Sequence, residues 1–290
     1  MPQRYQYLIP WLFLVVWSSG YSMAKLALEY TLPFNLLAYR FLGAALVVTP
    51  LVFILRLNLP TWSHAKSLIG TGMFLHLGHF GTMYVGMKLG ASANIMALFA
   101  ASQPVLIILT GALVAKQMPS WKIWLGLMMG LAGAAWVIGV DMQGDTGYLL
   151  GALLGFTAVV GMSIGQFIEK RRTLPLHPLV ATWVQYIFAA IVSVPLALMT
   201  EGLYFEATPA FFLSVGHLVV VNTVIGIMLM FSMVRSGSMS QATAIMFLVP
   251  AMAAIIAWPV AGETVSLIAI PGMLLAMAGA IWTRKVTAKT

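Results

Sequence analysis

Ten long apolar runs dominate the sequence, with cores at about residues 8–27, 34–55, 68–87, 91–114, 120–139, 148–168, 178–199, 210–233, 238–260 and 265–282. Crossing the hydrocarbon core of a bilayer as a helix takes roughly 20 apolar residues, so each run is long enough to do so. Lipid offers no water to an unpaired peptide group, which leaves helices and closed barrels as the spanning structures. Barrel strands alternate polar and apolar residues over about ten positions; these runs are continuously apolar, so they predict helices. Composition agrees: 61% of residues are hydrophobic and only 8% charged, against about a quarter charged in a soluble domain. Turn-forming residues mark the joints, at Leu59-Pro60-Thr61, Met118-Pro119-Ser120, Gln143-Gly144-Asp145, Leu174-Pro175 and Ser236-Gly237. The first run has no small-residue cleavage site before its polar end and reads as a retained span rather than a signal peptide.

The net charge of +8 does not point to nucleic acid, because the basic residues are scattered between apolar runs instead of forming one soluble face. They follow membrane topology. With the N-terminus in the cytoplasm, Arg4, Arg56, Lys66, Lys116, Lys122, Lys170, Arg171, Arg172, Arg235, Arg284, Lys285 and Lys289 all fall inside, as the positive-inside rule expects. Lys25 and Lys88 fall outside, at helix ends where they can snorkel. Glu29, Asp141, Asp145, Glu201, Glu206 and Glu263 are outside and Glu169 inside. The bias requires an even number of spans and predicts a multi-pass inner-membrane protein with both termini cytoplasmic. There is no cysteine, so disulfides and thiolate metal sites are excluded.

An internal repeat sets the architecture. An offset of 146 aligns 91–136 with 237–282 without gaps, pairing Pro104 with Pro250, Ala132-Gly133-Ala134 with Ala278-Gly279-Ala280, and Trp136 with Trp282. An offset of 145 extends it upstream, pairing Ser18 with Ser163, Gly20 with Gly165, Lys25 with Lys170, and Arg40 with Gln185. Each copy holds five spans. Five is odd, so the second copy enters from the opposite side, and a substrate site is expected near the midplane between the halves. The predicted fold class is an all-α membrane protein of ten transmembrane helices in two inverted five-helix repeats.

Several motifs carry a family resemblance: Trp17-Ser18-Ser19-Gly20, Pro33-Phe34-Asn35 leading to Arg40-Phe41, Gly90-Ala91-Ser92-Ala93 through Gln103-Pro104-Val105, its counterpart Gly237-Ser238-Met239-Ser240 through Val249-Pro250-Ala251, and Gly262-Glu263. With these the chain resembles the EamA family of the drug/metabolite transporter superfamily. The resemblance implies a ten-helix alternating-access carrier of small metabolites, often an exporter, with repeats at residues 1–141 and 146–285. One departure stands out. The family often has an acid after the fourth span, where this chain has Lys116-Gln117.

Polar groups within spans are costly unless they face a cavity or a partner, so they are the first site candidates. His76, His79, Phe80, Met83 and Tyr84 lie on the third span, and His76, His79, Phe80 and Met83 share a helical face. His76 corresponds to Asn222 across the repeat, and the two could face each other across a central cavity. His76 and His79 could bind substrate or couple protons; a neutral histidine bonded between helices is the plainer reading. Trp17, Ser18 and Ser19 sit mid-span, with Ser163 and Gln166 in comparable places in span six, and Trp17 stacks on substrate or simply packs. Asn94 and Gln241 add hydrogen-bonding capacity near helix ends, where solvated caps compete. Arg40, the deepest permanent charge, reads first as structural, snorkelling or bonding helix-end carbonyls, and second as a partner for a substrate carboxylate. Pro104 and Pro250 mark bends or hinges. Gly126, Gly130 and Gly133, matched with Gly272, Ala276 and Gly279, permit close helix contact, either as the scaffold joining the halves or as a homodimer interface.

The leading functional reading is a secondary-active exporter of a small metabolite, such as an amino acid or related compound, acting as monomer or homodimer and without a cofactor. An uncoupled facilitator or a broad drug/metabolite carrier is the alternative, and a non-transporting scaffold a remote one. No G-x-x-x-x-G-K-[ST] loop for ATP appears, and no H-E-x-x-H zinc motif supports an intramembrane enzyme.

Overall fold

The computed structural model describes residues 8–116, 118–142, 145–171, 176–235 and 248–287. Gln241, and Gln117 where the family often has its acid, lie outside them. The described chain is helical: α1 (Ile9–Tyr30), α2 (Pro33–Ile54), α3 (Trp62–Gly72), a π-helical segment (Met73–Gly81), α4 (Thr82–Lys88), α5 (Ala93–Ala100), α6 (Gln103–Val114), α7 (Trp121–Met142), α8 (Thr146–Arg171), α9 (Pro178–Thr200), α10 (Pro209–Gly216), a second π-helical segment (His217–Ile225), α11 (Gly226–Arg235), α12 (Val249–Ala261) and α13 (Ile270–Thr287). Six helices among the described residues are long and apolar enough to cross a membrane, and α5 with α6, bent by 46°, would make a seventh span. α12 and α13 are apolar but shorter. Large apolar side chains on the bundle's outer surface, including Trp11, Leu46, Ile191 and Leu198, are exposed, as lipid contact requires.

The helix starts follow local chemistry. Proline opens α2, α9 and α10, where its missing N–H costs nothing. Ser92 accepts from the Ile95 amide and Thr208 from the Phe211 amide, as N-caps do. Pro104 sits at the first turn of α6, just past the bend. Pro250 likewise opens α12.

The packing has an exchange pattern. α1 packs on α10–α11 and on α12, while α8 packs on α3–α4 and on α5–α6. α2 packs along α9, and α7 along α13. The α7–α13 seam is close enough to exclude a Cβ. One added at Gly133 would collide with the Gly272 carbonyl, and one at Gly279 would lie 2.5 Å from the Gly126 carbonyl. Gly126, Gly272 and Gly279 thus bring the two backbones together. Gly130 differs from the expectation: its Cβ direction opens onto free space, and only its backbone borders the seam.

One end of the bundle is tied by four charged side chains that each close a helix terminus. Lys25 donates to the Met87 and Ala91 carbonyls, both at 3.0 Å. Lys88 donates back to the Leu28 and Thr31 carbonyls, at 2.7 and 3.2 Å. Glu201 accepts from the amides of Phe34 and Asn35 at the start of α2. Glu263 accepts from those of Ala93 and Asn94 at the start of α5. Cations at C-termini and anions at N-termini match the helix dipoles. Lys25 and Lys88 therefore do not snorkel outward as expected; unpaired helix-end carbonyls are nearer partners than water.

Candidate functional site

A small cavity lies inside the bundle, lined by Trp17, Gly20 and Tyr21 of α1, Arg40 of α2, His79 and Phe80 of the first π segment, Met83 of α4, and Asn222 of the second π segment. Both π segments supply wall residues. Such segments crowd an extra residue into a turn and shift the side chains that follow, which is why they recur at functional sites. Nothing in the apolar pattern announces them.

Arg40 is 8% exposed and forms part of the cavity wall. It neither snorkels nor bonds helix-end carbonyls, as the first reading expected, because its guanidinium has closer partners. It donates to the Tyr84 hydroxyl at 2.6 Å and lies 3.9 Å over the Phe80 ring. Tyr84 is fully buried and touches the site through Arg40.

The two histidines play different parts. His79 lines the cavity, with Nδ1 3.0 Å from the Ala158 carbonyl of α8. A carbonyl can only accept, so this contact assigns the proton to Nδ1 and leaves Nε2 as the proton-accepting nitrogen. His76 stands behind Phe80, its ring parallel to that of Phe80 within 5°, and does not line the cavity. Its Nε2 is 3.1 Å from Gln185 Oε1, and the Gln185 amide nitrogen donates to Glu169 at 3.4 Å. His76 Nδ1 is buried without a partner. The opposition of His76 and Asn222 expected from the repeat is thus replaced by one of His79 and Phe80 with Asn222.

The remaining candidates are placed as follows. Asn222 donates to the Val16 carbonyl at 2.6 Å, and a Cβ on Gly20 would lie 2.8 Å from its amide nitrogen; Gly20 is what lets α1 come so close. Ser18 reaches the Val249 carbonyl at 3.5 Å, and Ser19 bonds the Val16 carbonyl and His217 Nε2, both at 2.8 Å. Ser163 is satisfied by the Val159 carbonyl in its own helix. Gln166 is partly buried on α8 and Asn94 is buried at the start of α5; neither lines the cavity. Tyr21, Gly20 and Met83 were not singled out from sequence as ligands, since an aromatic, a glycine and a methionine in a span look like packing.

Comparison with known proteins agrees with this architecture. The model of the EamA-like transporter family matches residues 7–139 and again 149–284. The chain belongs to the EamA-like transporter family. It is 24% identical to "Uncharacterized inner membrane transporter YedA" of Escherichia coli, over 87% of this chain and 81% of that one. It is 23% identical to "Probable amino-acid metabolite efflux pump" of Salmonella typhimurium, over 92% and 91%. A solved crystal structure at 20% identity superposes with a TM-score of 0.67 over 98% of both chains, and so shares the fold. The protein is a multi-pass membrane protein of a transporter family.

Proposed function

We propose that this EamA-family protein is a secondary-active exporter of a small metabolite, an amino acid or related compound, working by alternating access in the inner membrane with both termini cytoplasmic. The observation that carries the reading is the cavity, walled by α1, α2, α4 and the two π segments. Its volume of about 40 Å³ holds a few waters and is far below the roughly 300 Å³ of a ligand cleft. A compound of metabolite size fits only when the helices around the cavity move apart, as alternating access provides.

The packing supports two inverted five-helix halves, residues 1–141 and 146–285. Among the described residues, exchanging span one for six, two for seven, three for eight, four for nine and five for ten maps the most extensive helix contacts onto themselves or onto one another. The π segments start at Met73 and His217, close to the repeat offset. Two halves rocking about the α2–α9 and α7–α13 contacts expose the cavity to each side in turn. The relatives, one of them named "Probable amino-acid metabolite efflux pump", favour export of such compounds.

His79 is the proton carrier in this scheme, since its free nitrogen belongs to a ring in the cavity wall; a facilitator without coupling is the outcome if it carries none. Metabolite profiling tests the function. Cells overproducing the protein are expected to accumulate one class of small metabolite in the medium relative to cells lacking it. An unchanged profile across a broad panel contradicts export.

A further inference from the structure

Arg40 brings a permanent positive charge into the cavity without an opposite charge beside it. Its partners among the described residues are uncharged, the Tyr84 hydroxyl and the Phe80 face. One hydrogen bond leaves most of a guanidinium's fork of donors unused. An unneutralised charge inside a membrane is retained where it does something, and orienting a tyrosine needs only a neutral donor. Lys25 and Lys88 make the contrast: each has its ammonium satisfied by two carbonyls at a helix end.

A residue of the cavity wall also carries an unused acceptor. Asn222 commits its amide nitrogen to the Val16 carbonyl, which fixes the identity of the other amide atom as oxygen, and that Oδ1 is buried with no partner. Trp17, Tyr21, Phe80 and Met83 fill the wall around these two groups.

We propose that Arg40 anchors the carboxylate of the carried compound, that Asn222 Oδ1 accepts a hydrogen bond from a donor on the same compound, and that the aromatic and thioether wall receives its apolar body. The proposal rests on the transporter reading and assigns the polarity of its substrate. A carboxylate neutralises one guanidinium and matches its planar fork. A phosphate dianion carries one negative charge more than a guanidinium neutralises, and the cavity wall holds no other permanent cation.

The test uses purified full-length protein in nanodiscs and four matched probes: leucine, leucinamide, 4-methylpentanoate and 3-methylbutylamine, with the phosphonate analogue of leucine as a fifth. Binding is read by calorimetry and thermal shift. Leucine is expected to bind at least about tenfold more tightly than leucinamide or 3-methylbutylamine, the loss typical of a charge-assisted hydrogen bond, with 4-methylpentanoate between. Arg40→Gln is expected to erase the difference between leucine and leucinamide, and Arg40→Lys to keep part of it. Should Arg40→Gln fail to fold, the wild-type series together with Arg40→Lys decides. Equal binding of acid and amide, tighter binding of the phosphonate, or no saturable binding of either carboxylate overturns the proposal. The transporter reading fails separately: carboxylate-selective binding with no flux of leucine in proteoliposomes sinks transport and keeps the site, whereas flux without carboxylate selectivity keeps transport and sinks the site.

Discussion

At the scale of the residue, the site depends on which atom of each polar side chain is already committed. His79 and His76 sit on the same π segment, yet one faces the cavity and the other is tied through Gln185 to Glu169. Replacing them therefore has different consequences. His79→Gln keeps a donor for the Ala158 carbonyl but removes the proton-accepting nitrogen. Proteoliposomes carrying it are expected to lose substrate accumulation driven by a pH gradient while retaining exchange at equal pH. Accumulation at the wild-type level would exclude His79 as the proton carrier. The third-span histidines were legible from sequence as a polar stripe. Which of them would face the cavity was not, because that depends on the extra residue a π turn inserts, and helical periodicity assumes regular turns. Arg40 was legible as a buried charge, but its use was hidden until Tyr84 and Phe80 were seen to hold it off the helix ends.

At the scale of the element, small residues and helix-end charges hold the bundle. The α7–α13 seam predicts unequal effects along a single glycine series. Gly133→Val drives side-chain atoms into the Gly272 carbonyl and Ala276 amide, and is expected to lower the melting temperature by an amount matching roughly 1–3 kcal/mol of overpacking. Gly130→Ala points into open space and is expected to be neutral or stabilising by up to about 1 kcal/mol through helix propensity. Equal losses in thermal unfolding in nanodiscs would show that the seam is not what the glycines serve.

Glu263, beyond the end of α12, links the tied end to pH. Burial raises its carboxyl above the ordinary range, while the amides of Ala93 and Asn94 and the charge of Lys25 pull it down, and Asp141 raises it further. A carboxyl whose pKa is higher in the closed arrangement than when released binds its proton more tightly while closed. Acidification through the window between those two values thus favours closure, and raising the pH favours release. Hydrogen exchange at the Ala93 and Asn94 amides, corrected for intrinsic rates, is expected to show protection deepening as pH falls from neutral. Glu263→Gln is expected to flatten the profile; protection that weakens on acidification in the wild type would reverse the sign and refute the linkage.

At the scale of the whole molecule, much of the architecture was legible in sequence because a bilayer imposes few solutions. Continuous apolar runs forced helices, and the Pro104 and Pro250 match across an offset of 146 is the sequence ground for the proposed inverted halves. Pro104 also foretold the break between α5 and α6, since proline removes a backbone donor and its ring crowds the preceding turn. The crossed lysines were misjudged because hydropathy places a charge near a membrane surface without seeing the carbonyls of a neighbouring helix. The cavity itself was out of reach, since Gly20, Tyr21 and Met83 acquire a role only when α1 meets Asn222.

The central claim, that one cavity opens alternately to the two sides, has a direct test. The chain contains no cysteine, so Met83→Cys in the cavity wall places a single thiol at a position now 3% exposed. Right-side-out and inside-out vesicles are treated with a membrane-impermeant maleimide, and the labelled fraction is followed over time. Alternating access predicts slow labelling from both sides, with saturating substrate changing the two rates in opposite directions or slowing both. Labelling confined to one side under every condition, or absent from both, would contradict it.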